Sequence, residues 1–169
     1  MNPHPRAGPS GPALGAIAFV CVAAVAAALV SQHRFDMQPC PWCVLQRVLF
    51  LAIAAVCLLG LAWRSSTGRR VVAGVGALLA LGGAASALWQ HFYAAASASC
   101  NLTLADKIVS RWLQLDSALP DVFEARATCA DAAVNLLGVP YAFWSLGLFF
   151  AIFVALAAPR LRRLATRPA

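Results

Sequence analysis

Charge is what this sequence has least of. Asp, Glu, Lys and Arg make up 11% of its 169 residues, against roughly 25% in an ordinary soluble domain. Six residues are acidic, and of the thirteen basic ones only Lys107 is a lysine. So little polar surface argues against a soluble enzyme, a disordered chain and a solvated repeat array. The net charge of +7 does not make nucleic acid a partner either. That needs basic residues clustered on a folded face, whereas these arginines stand mostly at the ends of apolar runs. No internal repeat is present, and the length suits one domain, residues 1–169.

What the chain has in excess is hydrocarbon, with 62% of residues hydrophobic. Four runs, at about 14–30, 44–63, 71–90 and 141–158, carry almost no charge. At about 1.5 Å of rise per residue each can cross a bilayer core of about 30 Å. Each must be helical, because lipid offers no partner to an open backbone amide. The expected fold is therefore an all-α membrane protein, a bundle of four transmembrane helices with outer loops at 31–43 and 91–140. The third run carries Gly74, Gly76, Gly82, Gly83 and Ser86. Small residues let helices approach closely, which places this span centrally.

Arginine sets the direction. With both termini and the short 64–70 connector inside, the inner side holds Arg6, Arg64, Arg69, Arg70, Arg160, Arg162, Arg163 and Arg167. The outer side receives five basic residues and all six acids. The positive-inside rule is met with both termini cytoplasmic, membrane lipid as the surroundings and the cysteine loops periplasmic. A cleaved signal peptide fits the first run poorly, because its apolar core is too long and its start is rich in Pro and Gly rather than basic. A lipoprotein anchor at Cys21 fits no better, with bulky Phe19 and Val20 before it.

The six cysteines divide by compartment. Cys21 and Cys57 fall within spans, where a free thiol behaves as a small hydrophobe. Cys40, Cys43, Cys100 and Cys129 all fall outside, on the side that permits disulfides. A c-type haem site needs His after the second Cys of a CxxC, and Val44 stands there. A four-cysteine zinc site has no second CxxC to match the first, so no metal is expected. Two inert structural bridges are the strongest alternative. Cys40 and Cys43 resist that reading, because a two-residue spacer closes almost no loop, while CxxC pairs carry perturbed, redox-active thiols.

The neighbourhood suits redox chemistry. Pro41 pushes Cys40 out of helical geometry, leaving Cys43 near the start of the second helix, where an anion is favoured. Arg47 lies one turn further on the same face and keeps its charge when desolvated. It is expected to act on the acceptor side of the chemistry, apart from the second loop. Trp42 reads as an interfacial aromatic. Between Cys100 and Cys129, the residues Leu104, Ala105, Ile108, Val109, Trp112, Leu113 and Leu115 form one apolar half-cylinder. This is expected to be a short amphipathic helix lying on the bilayer, with packing against another protein as the alternative. His91, directly after the third span, is an interfacial residue or a weaker candidate for a hydrogen bond to a quinone ring.

Together these features resemble the DsbB family. The segment Pro39-Cys40-Pro41-Trp42-Cys43-Val44-Leu45-Gln46-Arg47 carries most of the likeness. Cys100 and Cys129 in the long loop, Asp121-Val122-Phe123 before Cys129, and Leu136-Leu137-Gly138-Val139-Pro140 leading to Trp144-Ser145-Leu146 add to it. The likeness spans roughly residues 14–158, and departs from the pattern in the extra cysteines 21 and 57 and in the Ala/Ser run before Cys100. It implies a bacterial inner-membrane thiol:quinone oxidoreductase that reoxidises a DsbA-like periplasmic thiol oxidase of thioredoxin fold. Electrons would enter at Cys100 and Cys129, pass to Cys40 and Cys43, and leave from Cys43 to the quinone pool, ubiquinone or menaquinone, beside Arg47. A vitamin K epoxide reductase-like enzyme would carry its CxxC at the last span, and here it opens the second. A scaffold with inert outer disulfides is the non-enzymatic alternative.

Overall fold

The computed structural model describes residues 8–63, 65–96 and 103–165, with the backbone alone for 159–165. Four helices are long and apolar enough to cross a membrane. Helix α1 runs Gly11–Phe35, capped by Ser10, whose hydroxyl accepts from the Ala13 amide at 3.4 Å. Helix α2 runs Pro41–Ala62 and α3 runs Ser66–Trp89, continuing as a π-helical turn over Gln90–Ala94. Helix α7, Tyr141–Ala165, closes the chain. Between α3 and α7 the outer loop folds into short pieces. They are α4 (Leu104–Asp106) with a π-helical continuation Lys107–Trp112, α5 (Leu115–Ala118), α6 (Pro120–Phe123), and a hairpin of β1 (Asn135–Leu136) and β2 (Val139–Pro140). The hairpin pairs Asn135 with Pro140 and Leu136 with Val139. Its two-residue turn puts Leu137 and Gly138 at φ 54° and 80°, the left-handed geometry that tight hairpins require.

The helices outrun the apolar stretches that announce them. Helix α1 continues past Val30 through Ser31, Gln32, His33 and Arg34, because Gln32 is buried against protein and not lipid. The bundle packs in chain order, α1 on α2, α2 on α3 and α3 on α7. Glycine makes the tight crossings. A Cβ on Gly83 would lie 2.3 Å from the Phe149 ring, and one on Gly76 would lie 2.8 Å from Leu156. The inner part of the bundle is a continuous core of Leu14, Cys21, Ile53, Cys57, Ala80, Phe149 and Leu156 among others. Both membrane cysteines are fully buried there, in keeping with a role as small hydrophobic filler. Helices α1 and α7 do not close on each other to the same degree, and a cavity of about 880 Å³ opens between them over α2.

A second cluster caps the outer end, joining Cys40, Trp42, Val44 and Leu45 to Ala94, Ala105, Val109, Phe123 and Cys129. It changes two expectations. Trp42 is 8% exposed and packs within this cluster, 6.4 Å from the Trp89 ring, so it is not an interfacial aromatic facing lipid headgroups. The amphipathic helix buries Ala105 and Val109 in the protein's own outer cluster and leaves Leu104, Trp112 and Leu113 exposed. Only part of its apolar face is free to meet a bilayer. The helix stops at Trp112, since Gln114 turns left-handed at φ 50° and Leu115 begins a new element.

Candidate active site

The sulfurs gather at the start of α2. Cys40 is the N-cap residue, and its sulfur accepts from the Cys43 amide at 3.4 Å. Pro41 fills the first helical position, where a missing N–H costs nothing. The two sulfurs lie 3.0 Å apart, with either thiol able to donate. Cys129 arrives from the far end of the outer loop and packs in one cluster with Cys40 and Trp42. Hydrogen bonding from the Cys40 thiol holds the Cys129 thiol below its ordinary range, against the opposing effect of burial. The same contact, with a second to Cys43 and burial, pushes the Cys40 thiol far up. Cys40 is thus the proton-holding centre between Cys129 and Cys43. Cys100 lies outside the described residues.

Two backbone contacts bring the loops together. The Pro39 carbonyl accepts from the amides of Arg126 at 3.0 Å and Ala127 at 3.2 Å. That joint ties the residue before Cys40 to the residues just before Cys129. On the surface beside it, Arg126 pairs with Glu124 at 2.9 Å and Asp121 at 3.5 Å, contacts that water screens.

The cavity between α1 and α7 has Cys43 and Arg47 on its wall, with Phe50, Tyr141, Phe143 and Trp144. Arg47 is 5% exposed. Its Nη1 donates to Gln32 Oε1 at 2.9 Å and to the Val122 carbonyl at 2.7 Å. Gln32 Nε2 in turn donates to the Asp121 carbonyl at 3.3 Å. Among the described residues no carboxylate forms an ion pair with Arg47. A buried guanidinium facing neutral oxygens and a sulfur is set to receive negative charge. Arg47 also makes contact with the second outer loop. It grips that loop at Val122 while it lines the cavity.

On the α3 side, Gln90 Nε2 donates to Cys43 Sγ at 3.1 Å, and Gln46 Nε2 donates to Gln90 Oε1 at 2.7 Å. Residue spacing did not single out Gln32, Gln46 or Gln90 as site residues. The available signal was an uncharged amide at the end of an apolar run, where a membrane helix seldom keeps a polar group without a partner. His91 is not on the wall of the large cavity. It lines a smaller one of about 100 Å³ with Gln90, Cys129 and Tyr141, and packs on Phe143 at 4.6 Å.

Chemically the site offers a chain of sulfurs from the outer loop to the edge of an apolar cavity, with one cation at the last sulfur. A quinone would suit that cavity, since apolar and aromatic walls fit its ring and tail and Arg47 fits an oxygen that gains negative charge. A family model described as disulfide bond formation protein DsbB matches residues 11–158. The chain is similar to disulfide bond formation protein B of Herminiimonas arsenicoxydans, 33% identical over 91% of this chain and 97% of the relative. It is 36% identical to the protein of that name from Aromatoleum aromaticum, over 75% of this chain and 78% of the relative. The counterpart in Cupriavidus metallidurans is 32% identical over 87% and 90%. With four apolar helices, a CxxC capping the second and a match along nearly its whole described length, the chain belongs to the DsbB family of disulfide bond formation proteins.

Proposed function

We propose that this protein is a thiol:quinone oxidoreductase of the bacterial inner membrane that reoxidises a DsbA-like periplasmic thiol oxidase. The observation that carries the reading is the placement of Cys43 and Arg47 together on the wall of the 880 Å³ cavity, with Cys40 between Cys43 and Cys129.

The chemistry follows from the order of the sulfurs. A reduced partner thiolate attacks the Cys100–Cys129 disulfide, and a second partner thiol resolves the mixed disulfide, leaving the partner oxidised and the loop pair reduced. The Cys129 thiolate then attacks Cys40 of the Cys40–Cys43 disulfide, and Cys43 leaves as a thiolate; the Cys100 thiol attacks Cys129 in turn, which restores the Cys100–Cys129 disulfide and releases Cys40, so that Cys40 and Cys43 are the reduced pair. Thiolates with lowered proton affinity are good leaving groups, and the α2 N-terminus and Arg47 favour charge on Cys43. When bound, a quinone accepts two electrons and two protons, so oxidation of two thiols to one disulfide yields one hydroquinone. This chain's part is to hold Cys43 at the cavity edge, to place Arg47 beside it, and to keep water from the wall between α1 and α7. Both ubiquinone and menaquinone suit the cavity by size and polarity. Periplasmic oxidation is maintained kinetically through such a quinone, which supports the need for a relay from water to lipid.

The test mixes purified protein, quinone and a reduced thioredoxin-fold donor, and follows quinone absorbance. Turnover in the wild type, lost when Cys40, Cys43, Cys100 or Cys129 is changed singly to Ser, is the expected result. A protein that folds but leaves the quinone spectrum unchanged under all conditions is a scaffold with inert disulfides.

A further inference from the structure

We propose that Gln90 is a catalytic residue that donates a hydrogen bond to the reacting sulfur of Cys43, and that Gln46 is the positioning residue that aims it. The inference rests on the reading of Cys43 as the sulfur that meets the quinone, and adds to it a neutral donor that acts opposite Arg47.

Both amides are 4% exposed. A buried amide costs free energy unless its ends are paired, and here each end of Gln90 has a different partner. Its oxygen accepts from Gln46 at 2.7 Å, and its nitrogen donates to Cys43 Sγ at 3.1 Å. Because Gln46 presents N–H, Gln90 must answer with C=O, and its NH₂ is left facing the sulfur. In this arrangement the two amides share one polarity, and the NH₂ end of Gln90 meets Cys43. A neutral thiol sulfur is a weak acceptor, whereas a thiolate forms a charge-assisted bond of roughly twice the strength of a neutral one. A donor held on the sulfur therefore favours the anion over the thiol, which is the form that leaves a disulfide and reduces an acceptor.

The backbone suits this arrangement. Gln90 begins the π-helical turn, and its own carbonyl accepts from the Ala95 amide at 2.9 Å. Such wide turns inside helices recur at functional sites. Cys43 is then approached by Gln90 from α3 and by Arg47 from its own helix one turn on. The two donors differ in kind. Arg47 carries charge and lines the cavity, so it can act on the sulfur and on the acceptor alike. Gln90 is not on the wall of that cavity and reaches the sulfur only.

The full-length protein, reduced and in detergent, is alkylated at a series of pH values, and Cys43 modification is read by tandem mass spectrometry. Gln90→Met keeps size and loses the donor. Alkylation of Cys43 at pH 7 should slow by about tenfold, the lower end of what one hydrogen bond to a charged group is worth. The rate at high pH, where every accessible thiol is ionised, should stay the same, since access has not changed. Gln46→Met should shift the profile in the same direction by less. The double variant should match Gln90→Met alone, because Gln46 acts only through Gln90. An unchanged profile in folded Gln90→Met, or effects of the two substitutions that simply add, overturns the proposal. If Gln90→Met does not fold, Gln46→Met decides alone, and an unaltered profile there is equally fatal. A wild type with this alkylation pattern that reduces no quinone would leave the hydrogen bond standing and remove the quinone reading instead.

Discussion

Arg47, in a membrane helix, donates to the main-chain carbonyl of Val122, 75 residues later in the outer loop, at 2.7 Å. This bond helps to join the two halves of the redox site, beside the Pro39 contacts with Arg126 and Ala127. The first prediction follows from it. Arg47→Ala removes the cation beside Cys43 and the anchor of α6 together. Hydrogen bonds to a charged group are worth roughly 1.5–3 kcal/mol each, so quinone affinity or reduction should fall by about one to two powers of ten. The segment around Pro120–Phe123 should also exchange its amide hydrogens faster. Arg47→Lys should recover the charge without the fork that serves Gln32 and Val122 at once. It should therefore restore part of the quinone effect and little of the loop protection. Quinone titration and hydrogen exchange on both variants check this, and a fully active Arg47→Ala would reduce the residue to a membrane anchor.

The second prediction concerns the order in which sulfurs ionise. Hydrogen bonding from Cys40 lowers the Cys129 thiol, and the same contact raises Cys40. In the reduced protein, as pH rises, Cys129 should therefore lose its proton well before Cys40. Iodoacetamide at pH 7.5 should label Cys129 well before Cys40. Cys40→Ala removes the donor, so Cys129 should then need higher pH to react. Labelling of Cys40 ahead of Cys129 would contradict the arrangement at the α2 N-terminus.

Third, the cysteines should sort by position. Cys40→Ser, Cys43→Ser, Cys100→Ser and Cys129→Ser should each abolish turnover. Cys21→Ala and Cys57→Ala should keep it, since both thiols are buried in the inner core and not in the outer cluster that holds Cys40 and Cys129. Each of these two should cost stability on the order of 1 kcal/mol through the small void left behind. Turnover assays normalised to folded protein, with thermal melts in detergent, separate the two effects.

Much of this was legible in the residues alone, and the gaps have a common cause. The four spans follow from hydrocarbon content, and the capping role of Cys40 follows from Pro41 one residue on. Those are local facts. The apolar pattern of the loop helix is local too, and it holds until Gln114 turns left-handed and resets the wheel. Trp42 was misread because tryptophan at a membrane edge usually faces headgroups. Here the loop folds back and covers it. Gln90 depends on how α3 packs on α2, and Gln32 and the approach of Cys129 to Cys40 depend on where residues 120–129 travel. That path is set by contacts such as Pro39 with Arg126 and Ala127, between segments more than 80 residues apart.

Fourth, orientation can be read directly. The arginine distribution predicts the Arg69 connector and the C-terminus in the cytoplasm and the long loop outside. Alkaline phosphatase fused after Ser117 should be active, and fusions after Arg69 or Ala169 should be inactive. A periplasmic C-terminus would put the cysteine loops in the cytoplasm and remove the orientation on which the proposed relay depends.

The last prediction tests how the bundle shapes the cavity. Gly82 and Gly83 are neighbours on α3 with opposite surroundings. A Cβ on Gly82 meets nothing within 4 Å, whereas one on Gly83 would sit 2.3 Å from the Phe149 ring. That ring cannot easily move, because it stacks on Phe50 with centroids 4.0 Å apart and planes 4° from parallel. Phe50 in turn is part of the cavity wall below Arg47. Gly83→Ala must therefore part α3 from α7 or tilt the Phe149–Phe50 stack. Overpacking of this kind costs about 1–3 kcal/mol, and it should weaken quinone binding by deforming the wall. Gly82→Ala should be neutral or slightly stabilising, since alanine is the better helix former by about 1 kcal/mol. Phe149→Leu added to Gly83→Ala should recover part of the stability by freeing the space, without restoring the Phe50 stack or full quinone affinity. Thermal melts with and without quinone read both quantities on the same samples. Equal melting temperatures for Gly82→Ala and Gly83→Ala would mean that the α3–α7 crossing is looser than the Gly83–Phe149 contact requires.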